Sequence, residues 1–208
     1  MSICGKTAWV SAVAAALAQV CLARSARADG AADLVGIAGR KVEAGDLPGA
    51  VRDYSMALGL DPALDAAYAG LGRTRERMGQ WAEAERVYEV GLSHAPGSVL
   101  LLRARGKLRW TTGDHPRGAE DLERAGTRDI SALVELAGLY RAEGQPYAEL
   151  AVWRRTLVLA QERTDGSTAR VALINVRALG LVVAEADPVS HVVEPAPTRR
   201  LLRSIALR

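Results

Sequence analysis

The chain has 208 residues, a length that suits one ordinary domain or a short array of helical repeats. The composition is rich in Ala, Leu, Val, Arg and Glu and contains no Phe, which favours closely packed helices. The formal charge is +3, but residues 29–194 hold 20 basic and 24 acidic side chains, because the basic excess lies at the two ends. Nucleic-acid binding requires a clustered basic excess, so we expect no nucleic-acid partner.

The first 28 residues have the pattern of a secretory signal peptide. Lys6 precedes an uncharged apolar run over 8–23, and residues 26–28 offer the small-x-small pattern that signal peptidase cleaves. The apolar run would extend about 24 Å as a helix, short of a bilayer core of roughly 30 Å. We therefore expect cleavage before Asp29, export to a bacterial periplasm and no stable transmembrane segment afterwards. An uncleaved leader that anchors the chain in a membrane is the alternative.

Both cysteines, Cys4 and Cys21, lie within this leader. A cleaved chain would therefore hold no disulfide, no thiolate metal site and no cysteine nucleophile. Lipid modification of Cys21 is a minor alternative, because Val20 replaces the small residue expected before a lipidated cysteine.

Two stretches of the chain, starting at Ala31 and Asp65, align with a period of 34 residues. Matching positions carry Gly45 and Gly79, Ala50 and Ala84, Tyr54 and Tyr88, and Pro62 and Pro96. Two looser copies start at 99 and 130, which divides the chain into units 31–64, 65–98, 99–129 and 130–163. In each unit, apolar residues recur at helical spacing and a glycine ends the first helix. We expect helices near 32–44, 47–60, 65–78, 81–94, 99–112, 115–126, 130–143 and 146–161.

The fourth copy departs from the others at one position. Glu149 replaces the small residue that the other copies place where the two helices cross, which leaves the packing of this unit open. Residues 168–186 then form a strongly apolar stretch, predicted to be a capping helix that covers the last repeat. Arg170 and Arg177 argue against a membrane span there. Residues 188–208 are predicted to be an irregular basic tail.

This pattern resembles the tetratricopeptide repeat family over residues 31–161. The resemblance implies an all-α fold, a right-handed α-solenoid of about four helix-turn-helix units, and a function in protein–protein interaction. A plain helical bundle or another helical repeat is the alternative. In this family the first helix of each unit lines a concave groove. Carrying the groove positions over to this chain predicts a ligand-binding set of Arg73, Glu76, Arg77, Arg103, Lys107, Trp110 and Arg141.

Arg73 and Arg77, like Arg103 and Lys107, are four residues apart, so each pair shares a helix face and its like charges repel slightly. This local cost suggests an external anion, such as an acidic extended segment of another protein. The simpler alternative is that these cations pair with neighbouring acids or extend into solvent.

No catalytic motif, metal-ligand spacing or cofactor-binding pattern occurs in the sequence, so we predict no enzyme activity, metal site or cofactor. The function predicted is an exported scaffold or adaptor that binds an acidic segment in its groove. The alternative is a structural subunit of a cell-envelope assembly, docked through its convex face or its basic tail.

Overall fold

The computed structural model describes residues 3–186, and within them the chain forms nine α-helices and no strand. The helices are α1 Ile3–Glu43, α2 Leu47–Leu60, α3 Asp65–Arg77, α4 Trp81–His94, α5 Val99–Thr111, α6 His115–Gly126, α7 Ser131–Ala142, α8 Pro146–Glu162 and α9 Gly166–Ala186. The tail predicted over 188–208 lies outside the described residues. None of the described helices is both long and apolar enough to cross a membrane.

The helix boundaries agree with those predicted to within two residues, with one exception. The first helix was expected near residue 32, and α1 instead begins at Ile3. Its sequence between Ser25 and Leu34 is rich in Ala and contains no proline. Gly30 weakens a helix by about 1 kcal/mol, but a single glycine does not end one. The helix that contains the predicted leader therefore continues into the first repeat helix without a break.

Four glycines in the left-handed region join the two helices of each unit: Gly45, Gly79, Gly113 and Gly144, with φ of 84°, 74°, 94° and 67°. At Gly79 the turn is closed by two backbone bonds, from Gly79 N to Glu76 O and from Gln80 N to Arg75 O, each 2.9 Å. This arrangement satisfies the last carbonyls of the helix and requires a residue that adopts positive φ without strain. The recurring glycine thus sets the antiparallel pairing in every unit.

The described helices belong to two compact units, an N-terminal unit up to Ala125 and a C-terminal unit from Gly126. In the N-terminal unit, tyrosine rings fill the space above glycines of α3. A Cβ at Gly70 would lie 2.3 Å from Tyr54 Cζ, and one at Gly72 would lie 2.1 Å from Tyr88 Cε1. The glycines are therefore needed for the rings of α2 and α4 to reach the core.

The backbones of α5 and α6 come close together at Gly106 and Gly118. A Cβ at Gly106 would lie 2.9 Å from the Gly118 carbonyl oxygen, and a Cβ at Gly118 would lie 2.7 Å from the Gly106 carbonyl oxygen. Backbone atoms cannot move aside as a flexible side chain can, so only glycine permits this crossing. This contact fixes the position of α6 relative to α5 within the N-terminal unit.

In the C-terminal unit, the packing that Glu149 had left open is resolved by hydrogen bonds. Glu149 is buried, and its Oε1 accepts from Arg141 Nε at 2.7 Å and from Trp153 Nε1 at 3.1 Å. The helix pair therefore accommodates a carboxylate where the other units have a small residue, because donors surround it. The final helix, α9, packs against α8 as a capping helix would, and it leaves Ile174 and Leu181 exposed.

Candidate functional site

Arg73 lies on α3 with its side chain exposed to solvent. It forms no ion pair with any residue in the described part of the chain. Burial raises the pKa of Tyr54, and the positive charge of Arg73 opposes that shift. Burial and a hydrogen bond to Glu76 likewise raise the pKa of Tyr88, again against the charge of Arg73. Arg73 is thus an exposed cation whose charge acts on the tyrosines of α2 and α4.

The other two predicted site residues on α3 each contact another helix. Glu76 accepts a hydrogen bond from the Tyr88 hydroxyl of α4. Arg77 donates from Nη1 to the Val42 carbonyl of α1 at 3.2 Å. These bonds link α3 to both of its neighbours. Glu76 and Arg77 therefore have a structural role, and of the three residues only Arg73 presents its charge to solvent without a described hydrogen bond.

The predicted site residues on α5 have different environments. Lys107 is exposed, whereas Arg103 is half-buried, and both interact with other groups of the protein. Trp110 is only 7% exposed, and its ring stacks on His115 with centroids 4.7 Å apart and an interplanar angle of 9°. Because its faces are covered, Trp110 contributes to the core of the N-terminal unit more than to an open surface. The helices α3 and α5 pack beside each other, which places their polar residues in one region.

Arg141, the last predicted site residue, lies on α7 in the C-terminal unit. Its Nε donates to Glu149 at 2.7 Å and its Nη2 donates to Asn175 Oδ1 at 2.7 Å. The side chain is 56% exposed, but its donors on this side are occupied by two neighbouring helices. Its position is explained by the buried carboxylate, without any external anion.

A cluster of ion pairs in the N-terminal unit was missed at the sequence level. Arg105 and Arg109 of α5 enclose Asp121 of α6, a carboxylate that is 2% exposed. Arg109 also reaches two acids of α4, with Nε 2.7 Å from Glu85 Oε1 and Nη2 3.4 Å from Glu89 Oε1. Burial lowers the pKa of Arg109, but the bond to Glu85 and the charges of all three acids outweigh it and raise the pKa. The network ties three helices together.

The positions of these residues within the repeat could have predicted part of this cluster. Lys41 and Asp53 of the first unit are twelve residues apart, and their side chains pair at 2.6 Å. Arg109 and Asp121 occupy the same two register positions in the third unit and also pair, at 2.9 Å. Arg109, which is outside the predicted site set, is thus neutralised by acids of neighbouring helices.

Among the described residues, no group of three or more His, Cys, Asp and Glu side chains is arranged to hold a metal ion. One open cavity of about 320 Å³ lies in the C-terminal unit where α8 passes into α9, and it is lined largely by apolar atoms of residues including Leu157, Ala169 and Leu173.

Residues 41–108 match a family model described as tetratricopeptide repeat. The fold is similar to that of pilF from Pseudomonas aeruginosa, with a TM-score of 0.56, 14% identity, and coverage of 77% of this chain and 86% of that one. It is similar to a tetratricopeptide repeat protein from Parabacteroides merdae, with a TM-score of 0.52, 19% identity, and coverage of 73% and 60%. A third similar structure, MamA from Desulfovibrio magneticus, has a TM-score of 0.51, 19% identity, and coverage of 66% and 78%. No curated protein matches the chain.

The paired helices, the glycine turns and the repeated register define an all-α helical-repeat protein. Residues 41–108 match the tetratricopeptide repeat family, and the fold of the described helices is similar to that of solved helical-repeat proteins. This fold supports a role as a protein–protein interaction scaffold, and members of the family are generally interaction modules without enzyme activity. The expected all-α helical-repeat fold is thereby confirmed, and residues 41–108 match the expected family.

Proposed function

We propose that this protein is an exported scaffold that binds an extended, acidic segment of another protein along α3 and α5 of its N-terminal unit. The observation that carries the proposal is the environment of Arg73. Its guanidinium is exposed and has no ion-pair partner among the described residues, although the part of the chain around it is rich in acids. An exposed cation without a partner on the inner helices of a repeat protein is suited to bind an anionic ligand.

Lys107 on α5 supports the same proposal. It occupies the register position of Arg73 one unit later, 34 residues along the chain, and it is also exposed. Equivalent positions in successive repeats lie side by side, so an extended segment would meet one cation after the other. Residues 29–194 carry a net negative charge, so the net charge of this part of the chain would not attract an acidic partner. We therefore expect the partner to be recognised through direct contacts with these two cations.

Capture of a partner tests the proposal. We expect Arg73→Glu plus Arg103→Glu to reduce recovery of partner proteins when the full chain is used as bait in an envelope extract at low salt. The matched control is Arg52→Glu plus Arg86→Glu, which makes the same charge change at two exposed, equivalent positions on the second helices α2 and α4. Equal recovery by both double variants, with both still helical by circular dichroism, would contradict the groove proposal.

Export is the second part of the proposal. It is supported by the leader sequence and by the exposure of residues 25–29, which surround the proposed cleavage site. We expect the protein recovered from cells to begin at Asp29, as measured by intact mass or amino-terminal sequencing. Recovery of a chain that still carries the leader in the membrane fraction supports the anchored alternative instead.

A second candidate function, docking as a subunit of a cell-envelope assembly, is favoured by apolar side chains on the second helices. Met56 of α2 and Val90 of α4 occupy equivalent register positions and are 59% and 50% exposed. Deleting residues 189–208, or replacing both side chains by Ser, distinguishes the candidates: the groove binder keeps its partner, and the docked subunit loses it.

A further inference from the structure

The outer face of α9 is apolar, although this helix ends the described part of the chain. The inner face packs against α8, and Ala172 on that side is fully buried. On the face turned away from α8, Ile174 and Leu181 are 66% and 68% exposed, and Val171 and Val182 are exposed as well. A terminal helix of a repeat protein needs a polar outer face to remain soluble, so an apolar one indicates a surface that another molecule covers.

These exposed side chains have the spacing at which two helices pair. Val171, Ile174, Ala178 and Leu181 follow one another at intervals of three, four and three residues, and all four are exposed. Alternating steps of three and four residues place apolar side chains in one row, which a second helix can cover. We call these four residues and Val182 the α9 stripe. The stripe is about 17 Å long, because a helix rises about 1.5 Å per residue.

Two arginines lie along one edge of the α9 stripe. Arg170 and Arg177 are exposed and seven residues apart, which places them two helical turns from each other on the same side. They are the only charged residues of α9 before Glu185, and neither forms an ion pair with a side chain that the structure describes. On the other edge, Asn175 is neutral and accepts a hydrogen bond from Arg141. The stripe is therefore bordered by positive charge on one edge only.

The open cavity of the C-terminal unit adjoins the same edge. Arg170 and Leu173 of α9 line it, together with Leu157 of α8. Because its lining is largely apolar, the cavity extends the apolar surface beyond the arginines. A molecule that covers the stripe would therefore contact apolar surface on both sides of Arg170.

We propose that the α9 stripe docks an amphipathic helix of another protein, whose apolar face covers the stripe and whose acidic side chains pair with Arg170 and Arg177. Charge complementarity favours this occupant. A second copy of the chain, paired antiparallel along the stripe, would bring the two copies of Arg177 together at its centre, and a parallel copy would place Arg177 beside the apolar Val182. The chain's own residues 198–208 contain four arginines and no acid, so Arg170 and Arg177 would repel them.

A lipid surface also offers apolar and anionic groups, but it fits the α9 stripe less well. A helix that lies in a lipid surface is rich in Lys and Arg on its polar face and has Trp, Phe or Leu on the other. The face of α9 opposite the stripe is instead packed against α8, and α9 contains two arginines and no aromatic residue. The proposal concerns the C-terminal unit alone and does not depend on the groove proposed for the N-terminal unit.

Binding of designed helices tests the proposal. The probes are two fluorescein-labelled peptides of three heptads with Leu at the a and d positions. One has Glu at every e and g position and the other has Lys there, so that like charges keep each peptide from pairing with itself. Fluorescence anisotropy measures binding to the full chain at low salt, where exposed charges are least screened. We expect the acidic peptide to bind at least about five-fold more tightly than the basic one.

The double variant Ile174→Ser plus Leu181→Ser removes the most exposed apolar side chains of the stripe. We expect it to weaken binding of the acidic peptide at least about ten-fold, because both side chains lose their burial under the peptide. The matched control is Ile37→Ser plus Leu60→Ser, which makes the same change at exposed positions of the N-terminal unit and should bind as the wild type does. Circular dichroism verifies that both variants are folded.

Charge reversal separates the arginine edge from the apolar stripe. We expect Arg170→Glu plus Arg177→Glu to reverse the preference, so that the basic peptide binds more tightly than the acidic one. An unfolded protein would not gain affinity for the basic peptide, so this result does not depend on comparing stabilities. Failure of the acidic peptide to bind, an unreversed preference, or unchanged binding after the serine substitutions overturns the proposal.

Three further results would assign the stripe to another occupant and overturn the proposal as well. Sedimentation equilibrium that shows a dimer, separated by Ile174→Ser plus Leu181→Ser, assigns it to a second copy. Binding of the acidic peptide that appears only after Leu201→Ser plus Leu202→Ser assigns it to the chain's own tail. Sedimentation with phosphatidylglycerol vesicles that is lost in the Ile174 and Leu181 variant, without binding of the acidic peptide, assigns it to a lipid surface.

Discussion

Arg105 holds the buried carboxylate of Asp121 through two parallel hydrogen bonds, from Nε to Oδ2 at 2.8 Å and from Nη2 to Oδ1 at 2.7 Å. Arg109 adds a third, from Nη1 to Oδ2 at 2.9 Å. A carboxylate that is 2% exposed would be costly without such donors, and two half-buried guanidiniums would be costly without the carboxylate. The cluster therefore makes the packing of α5 on α6 depend on a single acid.

Replacing that acid tests its contribution. We expect Asp121→Asn to lower the free energy of unfolding by about 3 kcal/mol, because Arg105 keeps its charge in a partly buried place and loses its counter-ion, while Arg109 keeps only the acids of α4. Urea unfolding followed by circular dichroism measures the change. Glu89→Gln is the control: this side chain is 50% exposed and 3.4 Å from Arg109, so its loss should cost less than about 0.5 kcal/mol. Similar losses in the two variants would show that burial does not set the strength of these pairs.

The buried Glu149 offers a second test, in the C-terminal unit. Glu149→Ala introduces a small residue of the kind that the other units have at this position. We expect a loss of about 1–2 kcal/mol, because Trp153 Nε1 loses its acceptor in a buried place. Arg141 contributes less to the loss, since its side chain is 56% exposed and water can replace the carboxylate. Thermal unfolding measures the effect against Glu162→Ala, an exposed position on the same helix. A variant more stable than the wild type would contradict this account.

We expect glycine at position 164 to make the folded protein more stable than Thr164 does. Its φ is 57°, and it follows α8 in the same kind of turn that uses glycine after α1, α3, α5 and α7. A β-branched residue in this conformation is strained by about 1–2 kcal/mol, part of which glycine loses again through its flexibility in the unfolded chain. We expect Thr164→Gly to stabilise the protein by about 0.5–1 kcal/mol and Gly79→Ala to destabilise it. Denaturant titrations that shift both variants in the same direction would contradict the role of positive φ.

Asp165 makes stability depend on pH in the acidic range. Hydrogen bonds from Thr168 and Ser167 lower the pKa of Asp165 to about 2. The unfolded value is about 3.9, so the folded state binds the proton more weakly, and the carboxylate stabilises the fold above that value. This contribution is lost as the pH falls from about 4 through 2. We expect the difference in Tm between wild type and Asp165→Ala to be largest near pH 6 and to shrink by pH 2.5, as measured by circular dichroism. An equal difference at both pH values would show that the carboxylate charge is not responsible.

Much of the fold could be predicted from local patterns. The glycines at 45, 79, 113 and 144 end helices because of their own backbone freedom, and the apolar spacing marks which helix face is buried. Both effects act within a few residues of the chain. The start of α1 was predicted less well, because the leader and the first repeat helix contain no residue that stops a helix.

The candidate site was predictable only in part. Family positions selected Arg73 and Lys107, which are exposed on neighbouring first helices, and also Glu76 and Arg141, whose side chains bond to other helices. Which cation finds an acid depends on where two helices cross. Asp121 is hydrogen-bonded to Arg105 because α6 crosses α5 at a pair of glycines. The residues next to Arg105 in the sequence do not predict that contact.

By itself, the sequence determined the repeat length, the turns and the faces that each helix buries, since backbone conformation and hydrophobic period are local properties. Only the tertiary structure decided which charges are neutralised inside the fold and which remain on its surface. The physical reason is that an ion pair forms only when its charged atoms lie within a few ångströms of each other. The distance between side chains on different helices is set by how the helices pack.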